Sequence, residues 1–349
     1  MERIKMSKKP RLKNPYLVCA WPGMGEVAFK AAQYLIDKLH AEEFAQILPQ
    51  DFFYFTTSII QNGILNTPEL PYSKFYYWKN PATKRGARLP PACLAGRDGQ
   101  GSAKDFGGKA EGNDLIIFIS NAQPDLTKAQ DYCKCIIHIA KSFNVKMIVS
   151  FASMPQPIDH SQNSNVWFCA TSQELNSDLK KYNFNLLTEG QISGMNGLFL
   201  GIAKKEEFRG FCLLAEIPLY TIQIENPKAC YAVLKAFSKI LNIQIDFSAL
   251  IEQAQVIEDE INKLLDYLKL DSTVAPIGEE DIEKIKKSLS QLTKLPVSIK
   301  EKIDQLFLTA QKDISKAGEL KVELDKWNVY KEYEDRFLDL FKKRKESSN

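Results

Sequence analysis

The side chains that could do chemistry in this sequence gather where short apolar runs begin or end. Gly23, Gly25 and Glu26 follow Tyr16–Ala20, and Asn121 and Gln123 follow Leu115–Ile119. Ser193, Gly194, Asn196 and Gly197 open a helical run, while Glu216, Tyr220 and Glu225 sit at and beyond the end of Gly210–Pro218. In an open α/β sheet, ligand-binding groups collect at the carboxyl ends of strands. A strand ending in a Gly-rich turn also aims backbone N–H groups over a helix N-terminus, where an anion is favoured. Two readings of this set stay open: a small-ligand site, or groups that satisfy the loop backbones themselves.

The familiar catalytic arrangements are missing. Gly23-Met24-Gly25 lacks the third glycine of a dinucleotide fingerprint and no Walker lysine follows it. There is no G-x-S-x-G, and the three histidines and seven cysteines form no metal-ligand spacing. No catalytic residue, metal site or cofactor is therefore assigned, and the balance leans away from an enzyme. His138, inside an apolar helical run, reads as a core histidine; His160 lies in a polar loop with no partner that the sequence can name. The cysteines, odd in number and scattered through apolar segments, read as buried free thiols of a reducing compartment.

These groups need elements to hold them. Tyr16–Ala20, Leu115–Ile119, Lys146–Ser150, Val166–Ala170 and Gly210–Pro218 read as buried strands, alternating with helical runs at 27–40, 126–143, 177–182 and 229–241. Two aromatic-rich stretches, 45–60 and 74–79, read as further strands. Continuous apolar strands alternating with helices predict a mostly parallel sheet covered on both faces. Gly194, Gly197 and Gly201 share one helical face, where another element can approach closely. The Gly- and Pro-containing segment 83–113 reads as an inserted loop. From Ser248 the pattern changes to charged amphipathic helices, so the expected division is an α/β domain over 1–247 and a helical hairpin or bundle over 248–349.

With 46 basic and 43 acidic residues the net charge is +3, which gives no steering towards nucleic acid or membrane. No apolar run reaches the length of a membrane span and the N-terminus has no apolar signal core, so a cytoplasmic protein is expected.

Four motifs, taken in order, carry a resemblance: Ala20-Trp21-Pro22-Gly23-Met24-Gly25, Asn121-Ala122-Gln123-Pro124, Ile192-Ser193-Gly194-Met195-Asn196-Gly197, and Gly210–Tyr220 with Glu225-Asn226-Pro227-Lys228-Ala229. Over roughly residues 14–246 the chain resembles the PAC2 (proteasome assembly chaperone 2) family. The resemblance implies a three-layer α/β fold like that of purine nucleoside phosphorylases and related hydrolases, followed by a helical C-terminal region. It also implies a homo-oligomer, dimer or trimer, with protein partners. Family chaperones that dock on the proteasome α-ring use a hydrophobic-Tyr-X tail, whereas this sequence reads Glu346-Ser347-Ser348-Asn349. The resemblance does not extend to that tail, and the 83–113 segment is longer than the family's link. The leading expectation is a protein-interaction or assembly-chaperone-like protein. Its rival is a binder or enzyme for a nucleotide-like or phosphorylated ligand, using the strand-exit groups.

Overall fold

Apolar strands that must be covered on both faces set the layering. The computed structural model describes residues 3–54, 58, 60–61, 63–81, 112–270, 297–326 and 330–342. In chain order the elements are β1 (Ile4–Met6), β2 (Tyr16–Ala20), α1 (Val27–Leu39), β3 (Glu42–Ile47), β4 (Ile60–Gln61), β5 (Ile64–Leu65), β6 (Ser73–Trp78) and β7 (Leu115–Ser120). Then come α2 (Ala129–Ser142), β8 (Met147–Gln156), β9 (Val166–Ala170), α3 (Gln173–Lys180), β10 (Asn185–Leu186), α4 (Met195–Lys205), β11 (Gly210–Pro218) and α5 (Pro227–Leu241). The helices α6 (Ser248–Leu270), α7 (Val297–Lys312), α8 (Ala317–Lys326) and α9 (Tyr330–Lys342) follow. The inserted loop expected at 83–113 and the amphipathic run at 282–292 fall largely or wholly outside the described residues.

Among the described residues nine strands form one sheet, in the order β1-β3-β6-β7-β2-β8-β11-β9-β10. The core is parallel, β2 lying between β7 and β8 with Val18 opposite both Ile117 and Val149. The sheet as a whole is mixed rather than mostly parallel: β1–β3, β3–β6, β6–β7 and β9–β11 pair antiparallel. The aromatic stretch expected as a strand over 45–60 accounts for part of this. Its strand stops at Ile47, where Pro49 opens a single 3-10 turn, and Phe52 and Phe53 then drop into the core. The chain returns as β6, which pairs antiparallel with both β3 and β7.

Alternate side chains divide between two faces. Leu17, Cys19, Trp21, Ile116, Phe118, Ile148, Cys212 and Leu214 meet α2 and α4 through Tyr132, Ile136, Phe199 and Ala203. Phe118 is the hub of this layer, with ring centroids 4.7 Å from Phe75, 5.2 Å from Trp21 and 6.2 Å from Tyr132. On the opposite face Phe151 meets Phe237 of α5 edge-on at 5.5 Å, and α1 packs beside α5. Both sheet edges are short, β1 with three residues and β10 with two. Lys8, Lys9 and Pro10 follow β1, and short, basic, proline-bounded edges discourage pairing with another chain.

The chain divides into two compact units. One holds Met1–Met154, Asn163–Glu216 and Asn226–Ala254; the other holds Pro155–Gln162, Ile217–Glu225 and Gln255–Asn349. In the second, α8 packs with α7 and α9, and Ile303, Phe307, Leu320, Leu324 and Phe337 are buried. The Arg336 guanidinium lies 4.1 Å from the Phe307 ring centre and pairs with Asp304.

The start of α6 is fixed within the first unit. Phe247 stacks on Tyr34 and meets Tyr231 edge-on, while Tyr34 Oη donates to the Asp246 carbonyl at 2.7 Å. The Ser248 backbone N–H and hydroxyl, then Lys38, hold the Asp246 carboxyl down from 3.8 to about 2. A carboxyl depressed on folding contributes stability that is complete above its unfolded pKa and is lost as pH falls through its folded one. Asp246→Asn should therefore flatten the stability–pH curve between 3.8 and about 2, measured as urea midpoints across that window. Parallel curves for the two proteins would contradict this role.

Candidate functional site

Helix α4 starts where three strand-exit loops meet, and side-chain amides sew them together. Asn196, in its first turn, is 5 % exposed. Its Oδ1 accepts from the Trp21 N–H at 3.0 Å and its Nδ2 donates to the Trp21 carbonyl at 3.1 Å. Gln123, at the exit of β7, does the same for two other chains of atoms. Its Nε2 donates to the Pro22 carbonyl at 2.9 Å, and its Oε1 accepts from the Met195 N–H at 3.2 Å. A loop that leaves a buried strand carries backbone groups that need partners. Here two amides, 73 positions apart in sequence on the β7 and α4 loops, supply them.

The Gly23–Glu26 turn is held as firmly. Gly25 (φ 64°) and Glu26 (φ 52°) are both left-handed, and Glu26 stands as the N-cap of α1 rather than within its first turn. Ser153 Oγ donates to the Met24 carbonyl at 2.7 Å, and the Asn226 N–H donates to the Gly25 carbonyl at 3.0 Å. The Asn226 side chain in turn caps α5 by accepting from Ala229. A Cβ on Gly23 would come within 3.4 Å of Asn196 Nδ2.

The structure thus brings Gly23, Gly25, Gln123, Gly194 and Asn196 together. Asn121 faces the other way, its Oδ1 accepting from the Tyr72 N–H at 2.7 Å. Ser193 is exposed just ahead of α4. Glu216 is buried on β11 and accepts from Asn165 Nδ2 at 2.8 Å and Trp167 Nε1 at 2.7 Å, its cross-strand neighbours. Tyr220 and Glu225 belong to the second compact unit.

Some residues were beyond reach of the sequence reading. His160 has partners after all: within the second unit its Nδ1 lies 2.8 Å from Tyr220 Oη and its Nε2 2.9 Å from Asn262 Oδ1. His138 is not a core histidine but projects from the exposed stripe of α2 with Lys134 and Lys141, because Ile136, Ile137, Ile139 and Ala140 take the inward positions. Cys19, Cys133, Cys135, Cys212 and Cys230 are buried free thiols, as expected, and Cys169 is half-buried; Cys93 lies outside the described residues. Burial pushes the Cys133 thiol and the Tyr132 phenol each up to about 12. Among the described residues no group of three or more His, Cys, Asp or Glu could hold a metal ion, and no helix is long and apolar enough to cross a membrane.

The outer surface at this end of the sheet is apolar. Tyr54, Ile60, Ile64, Leu65, Tyr72 and Leu126 all project into solvent, the three hairpin residues being 65–69 % exposed. The pairing of Ser73 with Ser120 and with Ile47 puts both ends of the 48–72 connection, Leu48 and Tyr72, at the exit end of β7. The Asp125 N–H donates to the Phe52 carbonyl and the Asn121 N–H to the Tyr72 carbonyl, so these loops lie side by side. Isolated exposed apolar residues are ordinary, but a group of large ones marks a surface for binding protein.

A helix-flanked sheet with stitched strand-exit loops, followed by amphipathic helices, defines a three-layer α/β protein with an added helical region. Residues 17–265 match the model of the PAC2 family, and the chain belongs to that family. The uncharacterized protein MJ1210 of Methanocaldococcus jannaschii is 25% identical over 282 residues, covering 78% of this chain and 93% of that protein. Among solved structures, Pyrococcus furiosus PbaB, described as an archaeal proteasome activator, superposes with a TM-score of 0.58 at 26% identity, over 75% of this chain and 97% of its own. Pyrococcus furiosus PbaA, described as an archaeal homolog of proteasome-assembly chaperone, shares the fold with a TM-score of 0.52 at 22% identity, over 75% of this chain and 96% of its own.

The glycines of α4 separate into two kinds. A Cβ at Gly197 would lie 2.2 Å from the Ile192 carbonyl oxygen, whereas one at Gly201 would meet nothing within 4 Å. Gly197→Ala should destabilise the protein by about 1–3 kcal/mol through overpacking. Gly201→Ala should stabilise it by about 0.5–1 kcal/mol, the ordinary gain of alanine inside a helix. Chemical denaturation of the two variants checks both signs; equal effects would refute the distinction.

Proposed function

We propose that this chain is a cytoplasmic, assembly-chaperone-like protein that works as a homo-oligomer and engages a protein complex through its apolar strand-exit surface. The observation that carries this reading is the exposed group Tyr54, Ile60, Ile64, Leu65, Tyr72 and Leu126; the Asn121 side chain and the Asp125 N–H tie Tyr72 and Phe52 to the exit of β7. Membership of the PAC2 family and the printed descriptions of PbaB and PbaA as proteasome activator and assembly-chaperone homolog support a proteasome-related partner. The candidate residues Gly23, Gly25, Gln123, Gly194, Asn196 and Gly197 then act in packing the strand-exit loops; Asn121 ties Tyr72 to the β7 exit, Glu26 is the N-cap of α1 and Ser193 is exposed ahead of α4. Glu216, Tyr220 and Glu225 serve their own local contacts. The nucleotide-like ligand reading loses support because the amides it would use already bond to backbone.

The test is binding of the purified protein to the proteasome core particle of its own organism, by sedimentation or interferometry. Burying an Ile or Leu side chain contributes roughly 1.5–3 kcal/mol, so Ile64→Glu with Leu65→Glu should weaken binding by about tenfold or more. Circular dichroism should show the fold of this variant unchanged, since both side chains lie outside the core. Wild-type protein that fails to bind at micromolar concentration, or a charged variant that binds as well, overturns the proposal.

A further inference from the structure

We infer that Cys169 and Cys212 form a reversible redox pair, closing to a cross-strand disulfide when the protein meets hydrogen peroxide. The two residues stand directly opposite each other on antiparallel β9 and β11. Directly opposed side chains share one face of a sheet. Cys212 is fully buried in the layer beneath α4, and half-buried Cys169 packs against the same cluster.

The register also fixes the type of pair. The Thr171 N–H donates to the Gly210 carbonyl, and the Glu216 N–H donates to the Asn165 carbonyl. Those positions lie two and four residues from Cys212 along β11, so Cys212 and Cys169 occupy a hydrogen-bonded position of the ladder. Such positions hold Cα atoms about 5.5 Å apart, inside the range of about 4.4–6.8 Å that a disulfide spans. Their Cβ atoms are set about 4.5–5.5 Å apart, against about 3.5–4.5 Å in a relaxed disulfide. Closure must draw the strands together, and a bond strained in this way is readily reduced again.

The chemistry runs from the half-buried residue, Cys169, to the fully buried one, Cys212. Cys169 Sγ attacks one oxygen of the peroxide; the O–O bond breaks, water leaves, and a sulfenic acid remains. Cys212 Sγ then attacks that sulfur, the S–O bond breaks, and a second water carries off the remaining thiol proton. Two thiols and one peroxide give one disulfide and two waters. Burial raises the pKa of both thiols, so the pair rests as thiols at neutral pH and its closure accelerates as pH rises.

The test is mass-spectrometric mapping of the full-length protein under non-reducing conditions after peroxide treatment, with dithiothreitol reversal. The expected result is one new linked peptide joining Cys169 to Cys212, lost on reduction. In Cys212→Ala the Cys169 sulfenic acid should persist long enough to be trapped by a cyclic dione, and in Cys169→Ala Cys212 should stay a thiol. If the folded wild type gives a trapped or over-oxidised Cys169 while Cys212 remains a thiol, the inference is wrong. It is equally overturned if Cys169 joins any other cysteine, or if both thiols survive peroxide in excess.

Discussion

A strand buried on both faces must hand its last backbone groups to something other than water, and that constraint shapes the strand-exit end of this sheet. Trp21, the first residue beyond β2, is wholly buried. Its N–H and carbonyl find their partners in one side chain, the Asn196 amide. Either group left bare would cost about 1–3 kcal/mol. A primary amide, donor and acceptor on one short stem, satisfies both at once. Where Asn196 sits then fixes where α4 starts, and Gln123 draws the β7 loop onto the same point.

Glycine makes the close approach feasible. Gly197 sits where a Cβ would overlap the Ile192 carbonyl, a Cβ at Gly23 would just touch Asn196, and Gly194 takes φ +73° beside Gln123. The motifs that mark the family in this sequence are therefore packing motifs first. The amides of Gln123, Asn121, Asn196 and Asn226 bond to backbone, and the exposed aromatic and aliphatic side chains stand on other segments, Tyr54 to Tyr72 and Leu126. A three-layer α/β fold with polar groups at its strand ends is therefore not by itself the mark of an enzyme, because fold alone does not set function.

Much of this was legible in the sequence, for definite reasons. The apolar runs at Tyr16, Leu115 and Gly210 are short and bounded by turn residues, which favours buried strands, and the 3–4 spacing after Ser248 favours amphipathic helix. Strand direction was less legible: Phe52 and Phe53 lie just past β3, but the 3-10 turn at Pro49-Gln50-Asp51 has already taken the chain out of the sheet. The candidate polar residues were found by position, at strand ends, but position does not say what an amide bonds to. Asn121 and Gln123 are two residues apart, yet one serves Tyr72 and the other Pro22. His160 needed Tyr220 and Asn262, far off in the chain, before it had a role. His138 misled because an apolar helix still has an outer stripe.

The claim on which the rest depends is that the amide stitch holds the strand-exit loops as rigidly as the sheet. Native-state hydrogen exchange at the Trp21 and Met195 backbone amides tests it most directly. Sites that open only with global unfolding exchange at the slowest rates, whereas mobile loops exchange freely. The account predicts that both amides are protected to nearly the level of β2 and β7, and that Asn196→Ala releases Trp21. Rapid exchange of Trp21 in the wild-type protein, comparable with that of the exposed β4–β5 hairpin, would contradict it.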